Sequence, residues 1–115
     1  MPAKKKSKKK SAAKSSPILT AKVLTITFSC GSTCKAKVKH QKAHVGDTIV
    51  FIAVNTDVVL DFNPSPFYSG HKQFPVFQGV PVTEVVIAPP GEYFYSLSCD
   101  GCPSTIDDPS MIVVP

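Results

Sequence analysis

Short apolar segments separated by turn residues limit this chain to a fold built from β-strands. Residues 22–28 alternate, with Leu24, Ile26 and Phe28 on one face, and a period of two is typical of a half-buried strand. Residues 48–54 are almost continuously apolar and rich in β-branched side chains, as in a central strand. Eleven prolines and six glycines favour turns over long helices.

Further strands are predicted over residues 35–41, 82–87, 93–99 and 111–114. Six or seven short strands with turn signals between them indicate an all-β sandwich. Residues 61–81 contain four prolines and five aromatic residues and are predicted to be irregular. A loop of this length in a compact domain is usually functional or packs as a cluster of its own.

The first 16 residues differ in charge from the rest of the chain. They hold seven of the 13 lysines and no acid, whereas the remainder has six lysines and eight acids, a formal net charge of −2. This composition predicts a disordered basic tail over residues 1–16 and one folded domain over residues 17–115. The tail is either a solvated, solubilising segment or a weak, salt-sensitive site for nucleic acid or another anionic surface. The lysines that would bind the anion are Lys4, Lys5, Lys6, Lys8, Lys9 and Lys10.

Several functional classes lack support in the sequence. No segment approaches the roughly 20 apolar residues that span a bilayer. The tail has no apolar segment after its lysines and therefore does not resemble a secretory signal. We expect a small soluble protein of the cytosol. There is no catalytic Ser/His/Asp or Cys/His pattern and no phosphate loop. We therefore predict that the protein is not an enzyme.

Three segments carry a resemblance to a known family. A Gly46-Asp47-Thr48 turn leads into an apolar strand followed by Asn55-Thr56-Asp57; residues 90–95 read Pro-Gly-Glu-Tyr-Phe-Tyr; residues 111–114 close the chain. In this order and spacing they resemble the cupredoxins, the small blue-copper domains, over roughly residues 20–115. The resemblance implies a Greek-key β-sandwich.

The same resemblance gives positions for copper ligands. The family holds a type 1 copper with two histidines, one cysteine and usually a weak axial methionine, ligands that suit copper. Here the first histidine position is Asp61, the cysteine position is Leu97, and no histidine follows Leu97. A shift of two residues would place Cys99 at the cysteine position but supplies no histidine. We expect Met111 to lie in the core, and we expect no blue-copper centre.

The chain has instead two pairs of cysteines, Cys30 with Cys34 and Cys99 with Cys102. On the resembled fold both pairs lie at the end where the family holds copper. Four thiolates could hold zinc, or copper as Cu(I), in a closed tetrahedral site. The alternatives are two disulfides, or thiols that are buried or redox-active. His71 is a possible additional ligand, because its loop could reach this end.

The leading hypothesis is a non-enzymatic, cupredoxin-like domain that binds zinc or copper through Cys30, Cys34, Cys99 and Cys102. A second hypothesis is a disulfide-stabilised module, without metal, that presents loop 61–81 to a partner protein. A third places the function in the basic tail. A copper-binding electron-transfer protein of the usual cupredoxin type is the remaining alternative.

Overall fold

The computed structural model describes residues 21–104 and 108–115, and in these ranges the chain forms nine β-strands in two sheets. The strands are β1 (Val23–Cys30), β2 (Cys34–Ala36), β3 (His40–Ala43), β4 (Thr48–Ala53), β5 (Val58–Phe62), β6 (Gln73–Val76), β7 (Val82–Val85), β8 (Gly91–Cys99) and β9 (Ser110–Val113). One sheet has the order β2-β1-β4-β7 and the other has the order β3-β9-β8-β5-β6. The predicted all-β sandwich is confirmed. No helix in the described part of the chain is long and apolar enough to cross a membrane.

Each sheet has an inner strand that pairs with a neighbour on both sides, β4 in the first sheet and β8 in the second. In the first sheet β4 lies between β1 and β7, parallel to β1, so that Phe28 is opposite Ala53. This is the central position predicted for residues 48–54. In the second sheet β8 lies between β9 and β5 and is antiparallel to both. Because β1, β4 and β8 all end at the same pole, the segments that follow them meet there.

Aromatic side chains from both sheets fill the core. Phe28 and Phe51 come from the first sheet, Phe62 and Tyr95 come from the second, and all four are at most 1% exposed. The rings of Phe62 and Tyr95 stack with centroids 4.5 Å apart, and offset stacked pairs add to the stabilisation from burial. Met111 is fully buried, as predicted.

The segment predicted as one strand over residues 35–41 is two strands in different sheets, and here the prediction was wrong. β2 ends at Ala36, and β3 begins at His40 after a bend. Both are edge strands. They and the bend carry four exposed lysines, Lys35, Lys37, Lys39 and Lys42. Lysines on an edge strand discourage pairing with the edge strand of another chain. The alternation of lysines therefore does not mark a single strand with one buried face.

Residues 61–81 are more ordered than predicted. This segment contains the end of β5 and all of β6, which pairs with β5. Phe67 and Phe74 are 2% and 7% exposed, whereas Tyr68 is 77% exposed. Phe67 lies edge-on to Phe62, with ring centroids 5.0 Å apart. The proline-rich segment therefore closes one side of the main core.

Asp47 joins two chain segments by hydrogen bonds at the end of the sandwich opposite the ends of β1 and β8. Its side chain is 2% exposed, and its carboxylate accepts hydrogen bonds from the backbone N–H groups of Lys22, at 2.9 Å, and His44, at 2.8 Å. Burial alone raises the pKa of this carboxyl, but the two N–H groups and the positive charges of Lys22 and His44 outweigh it, so the pKa lies below its ordinary value of 3.8. The ionised carboxylate thus stabilises the fold.

We expect Asp47→Asn to lower the free energy of unfolding at pH 7 by about 2 kcal/mol. The amide keeps one acceptor oxygen and places an NH₂ group, which cannot accept, against the other backbone N–H, and the hydrogen bond that remains is no longer charge-assisted. A carboxyl whose pKa is depressed on folding stabilises above its unfolded pKa and loses this contribution as pH falls through the folded value. The difference from the parent protein should therefore shrink below about pH 3.8. Urea unfolding at several pH values measures this. Asp61→Asn, at an exposed position, is the control, with an expected change under about 0.5 kcal/mol.

Candidate functional site

The four cysteines meet at one end of the sandwich, which we call the cysteine end. Cys30 is the last residue of β1, Cys34 is the first residue of β2, and Cys99 is the last residue of β8. Cys102 follows in the next turn. Two disulfides join them, Cys30–Cys102 with a Cα–Cα distance of 6.1 Å and Cys34–Cys99 with a Cα–Cα distance of 5.5 Å. The prediction that two remote cysteine pairs converge is therefore confirmed, and all four cysteines are disulfide-bonded.

These residues, the cysteine cluster, form a four-cornered arrangement. Cys30 is the cross-strand partner of Cys34, and Cys99 forms an antiparallel bridge with Cys102. Opposed residues in antiparallel pairs have Cα atoms about 4.5–5.5 Å apart. Each cysteine is thus close to two others, its disulfide partner and its bridge partner.

Backbone hydrogen bonds hold the corners of the cluster independently of the sulfur atoms. The N–H of Cys34 donates to the carbonyl of Pro103 at 2.7 Å. The side chain of Asn55 accepts from the N–H of Cys30 at 2.8 Å and donates to its carbonyl at 2.9 Å. The turn after β8 is therefore fixed to β2, and the end of β1 is fixed to the segment after β4.

A second set of contacts holds the turn after β8 from the other side. The N–H of Asp100 donates to the carbonyl of Asp57 at 2.9 Å. The buried hydroxyl of Thr56 lies 3.1 Å from the carbonyl of Asp100, to which it donates. The Asn55-Thr56-Asp57 segment therefore supports both sides of the cysteine cluster.

The two disulfides differ in depth. Cys34 is fully buried and Cys99 is 7% exposed, and both belong to the main core. Cys30 and Cys102 are only partly buried. We call Cys34–Cys99 the inner disulfide and Cys30–Cys102 the outer disulfide.

The structure does not bring His71 to the cysteine cluster. Its Nδ1 lies 3.0 Å from Oε2 of Glu84, and Glu84 pairs with Ile49 near the start of β4. The end of β4 is at the cysteine end, so His71 lies toward the opposite pole. The reason is the register of β5 and β6, which places Asp61 opposite Gln73 and so directs the intervening loop away from the cysteines.

The other two histidines are also remote from the cluster. His40 lies opposite Ser110, and Ser110 lies opposite Phe94 of β8. Cys99 is five residues further along β8, or about 16 Å at 3.3 Å per residue. His44 lies beside Asp47 at the opposite pole.

Two polar clusters were not predicted from the sequence. The nearly buried Glu84 accepts a hydrogen bond from the hydroxyl of Ser69 at 2.6 Å as well as contacting His71. In the other, the hydroxyl of Ser110 donates to Glu92 at 2.7 Å and lies 2.7 Å from Nδ1 of His40. In each cluster the glutamate is at least 13 residues from the groups that it contacts, so no local signal could reveal the clusters.

Neither polar cluster has the geometry of an activated nucleophile. In such a site an imidazole takes the proton of the serine hydroxyl, whereas here each serine hydroxyl donates to a carboxylate. Ser110 is also fully buried. One cluster joins the segment before β6 to β7, and the other joins β3, β8 and β9. The absence of enzymatic activity stays a prediction.

The positions that the family resemblance gave for copper ligands lie on opposite faces of one sheet. Leu97 is 4% exposed and points into the core, whereas Asp61 is exposed and opposes Ser96. Within residues 21–104 and 108–115, no three histidine, cysteine, aspartate or glutamate side chains form a group that could hold a metal ion in this disulfide-bonded state.

A shallow groove of about 300 Å³ lies on the outer face of the second sheet, beside the cysteine end. Val59, Pro75 and Phe77 supply its apolar surface, and the neighbouring residues Asp57 and Asp100 line the end nearest the cysteines. Phe77 is 51% exposed. Loop 61–81 thus contributes to this accessible surface mainly through its last residues.

The tail lysines Lys4 to Lys10 lie outside the described residues, and anion binding by the tail stays a prediction.

Comparison with known proteins supports the fold. No protein-family model and no curated protein matches this sequence. Among solved structures, a methionine-to-glutamine mutant of amicyanin with Cu(I) is similar, with a TM-score of 0.53 and 15% identity, covering 80% of this chain and 82% of that chain. A proline-to-phenylalanine mutant of amicyanin in its reduced state gives a TM-score of 0.52 and 16% identity, covering 83% of each chain. At this identity the likeness establishes a cupredoxin-like fold.

Proposed function

We propose that this protein is a non-enzymatic metal-binding domain, in which the cysteine cluster holds one thiophilic ion when reduced and forms two disulfides when oxidised. The ion is Zn²⁺ or Cu(I), because both suit thiolate ligands. The observation that supports this proposal is the four-cornered arrangement of cysteines at one end of the sandwich.

The spacing of the four corners suits a tetrahedral ion. A Zn–S distance of about 2.3 Å in tetrahedral geometry places the sulfurs roughly 4 Å apart. Side chains whose Cα atoms are 5.5 and 6.1 Å apart reach that separation by rotation about χ1. The backbone hydrogen bonds of Cys30 and Cys34 do not involve sulfur, so they favour the same arrangement after reduction.

The same residues do not fit the type 1 copper centre that the fold suggests. That centre needs two imidazoles beside one thiolate. All three histidines lie away from the cysteine end, where they contact Ser110, Asp47 and Glu84. The Cu(I) of the amicyanin mutant is therefore not carried over as a cupredoxin-type site, and electron transfer is not proposed.

Zinc titration of the reduced protein tests this proposal. We expect one Zn²⁺ per chain after reduction by a phosphine without oxygen, and none in the oxidised protein, because thiolates are the ligands. Binding should also raise the melting temperature of the reduced protein. A chromophoric chelator in competition measures the affinity, and unfolding followed by circular dichroism measures the melting temperature.

Matched variants make the titration specific. Cys34→Ser removes one thiolate and should weaken zinc binding at least about 100-fold, since three-thiolate coordination leaves a position open. His71→Ala removes a histidine at the other pole and should leave the affinity unchanged. Stoichiometric zinc binding by the oxidised protein, or none by the reduced protein, would contradict the proposal.

A second candidate function is supported by the groove beside the cysteine end. Its apolar surface, with two neighbouring aspartates at one end, suits an extended partner segment with an apolar side chain next to a lysine or arginine. In this case the disulfides serve only to stabilise the scaffold. A reduced protein that binds no zinc would favour this candidate over the first.

A further inference from the structure

Among the described residues, the feature that metal binding leaves unexplained is the difference in depth between two disulfides whose sulfurs belong to one cluster. The inner disulfide is enclosed by the core, while the outer disulfide reaches the surface through Cys30 and Cys102. Thiol–disulfide exchange requires a thiolate to approach one sulfur of the bond. A reductant in solution can therefore approach the outer disulfide in the folded protein but is kept from the inner one.

We propose that the outer disulfide is a thiol–disulfide exchange site for dithiol reductants, and that its released thiolates then open the inner disulfide from within the protein. The dithiol is the only co-reactant. The proposal goes beyond metal binding, because it holds whether or not the reduced cluster takes up an ion.

The first reduction consumes one dithiol. A thiolate of the reagent attacks Sγ of Cys102 or Cys30, forms a mixed disulfide and expels the other cysteine as a thiolate. The second thiol of the reagent then attacks the mixed disulfide, and the reagent leaves as a cyclic disulfide. Two electrons and two protons pass from the dithiol to Cys30 and Cys102.

The second step is an exchange within the protein. The thiolate of Cys102 attacks Sγ of Cys99, so that a Cys99–Cys102 bond forms while the Cys34–Cys99 bond breaks and Cys34 leaves as a thiolate. The antiparallel bridge between Cys99 and Cys102, with the N–H of Cys102 3.3 Å from the carbonyl of Cys99, gives a Cα separation in the range of about 4.4–6.8 Å that disulfides need. No electrons are gained or lost.

An equivalent route runs through the other bridge. Cys30 is the cross-strand partner of Cys34, so its thiolate can attack Cys34, form a Cys30–Cys34 bond and release Cys99. Either exchange moves the remaining disulfide onto a partly exposed cysteine. A second dithiol then reduces it, which completes the transfer of four electrons and four protons.

The test follows reduction of the oxidised full-length protein by dithiothreitol, without denaturant and with a chelator present to exclude metal. Samples are alkylated at intervals, and peptide mass spectrometry with fragment-ion sequencing identifies the cysteines that have reacted. We expect a two-electron-reduced intermediate that contains a Cys99–Cys102 or Cys30–Cys34 disulfide. An intermediate that contains only the outer disulfide, or simultaneous loss of both disulfides, would overturn the proposal.

Two double variants distinguish exchange within the protein from direct attack of the reagent on the inner disulfide. Cys30→Ser with Cys102→Ser leaves the inner disulfide without an internal attacker, and its reduction should slow at least about tenfold, because intramolecular attack benefits from a high effective concentration. Cys34→Ala with Cys99→Ala should leave reduction of the outer disulfide within about twofold of the parent rate. Inner-disulfide reduction that is as fast as in the parent, or faster, in the first variant would overturn the proposal.

Discussion

Removing both disulfides is expected to lower the free energy of unfolding by about 7 kcal/mol, whereas removing either one alone should cost only about 2.5 kcal/mol. The difference arises because the two closed loops are nested. The disulfides span 72 and 65 residues in sequence, so either bond alone constrains almost the same segment of the unfolded chain. That first constraint is worth about 4.4 kcal/mol in loop-closure entropy.

The second disulfide adds less because the first has already closed the large loop. It closes only a small ring through residues 30–34 and 99–102, which corresponds to about 2.5 kcal/mol by the same relation. Since small domains typically have about 5–15 kcal/mol of stability, the protein that lacks both disulfides should retain little stability. Either single removal should leave it folded.

Three substituted proteins measure this: Cys30→Ser with Cys102→Ser, Cys34→Ala with Cys99→Ala, and all four together. The chain has no tryptophan, so far-ultraviolet circular dichroism in urea is the suitable signal. Two single-disulfide losses that sum to the loss for the four-cysteine variant would contradict nested loop closure.

Phe67→Ala is expected to lower the free energy of unfolding by about 3–5 kcal/mol, the usual range for deleting a buried phenylalanine ring. Phe67 lies in the proline-rich segment, yet it is 2% exposed and its ring lies 5.8 Å from that of Phe51 and 5.0 Å from that of Phe62. Its removal leaves a cavity between the two sheets. Urea unfolding of the parent and variant proteins gives the difference.

The adjacent residue supplies the control. Tyr68 is 77% exposed, and Tyr68→Ala should change stability by less than about 0.5 kcal/mol. Equal losses for the two variants would mean that the segment is stabilised as a unit and not by insertion of Phe67 into the core.

The sheets could be predicted where one strand has one buried face. Residues 22–28 alternate because Ile26 and Phe28 face the core, and residues 48–54 form a central strand with neighbours on both sides. The pattern was misleading over residues 35–41, where the alternation runs from one edge strand through a bend into an edge strand of the other sheet. Period two reports alternation, but it does not show which face is buried or whether the chain changes sheet.

The family resemblance predicted that the cysteines converge, but it left their chemical state open among a metal site, two disulfides and free thiols. The Greek-key topology alone brings the end of β1 and the end of β8 to one pole, so convergence followed from the order of strands. Which cysteines bond depends on the register of β1 with β2 and on the turn after β8. His71 was assigned to the wrong part of the molecule as a ligand candidate because the β5–β6 register cannot be read from the loop sequence.

In the function that we propose, metal binding and disulfide formation use the same four sulfurs. A tetrahedral ion bonded to all four thiolates joins residues 30–34 to residues 99–102, as the disulfides do. Zinc should therefore replace much of the constraint that reduction removes, since metal-binding free energy contributes directly to folding. In this proposal, either bound zinc or the two disulfides link residues 30–34 to residues 99–102.

Native mass spectrometry of the full-length protein with zinc present, before and after reduction, tests this account most directly. The oxidised protein should have a mass lower than that of the fully reduced chain by the four hydrogens of two disulfides, with no ion bound. The reduced protein should carry one zinc ion. The same zinc content in both states, or four free thiols without zinc after reduction, would contradict it.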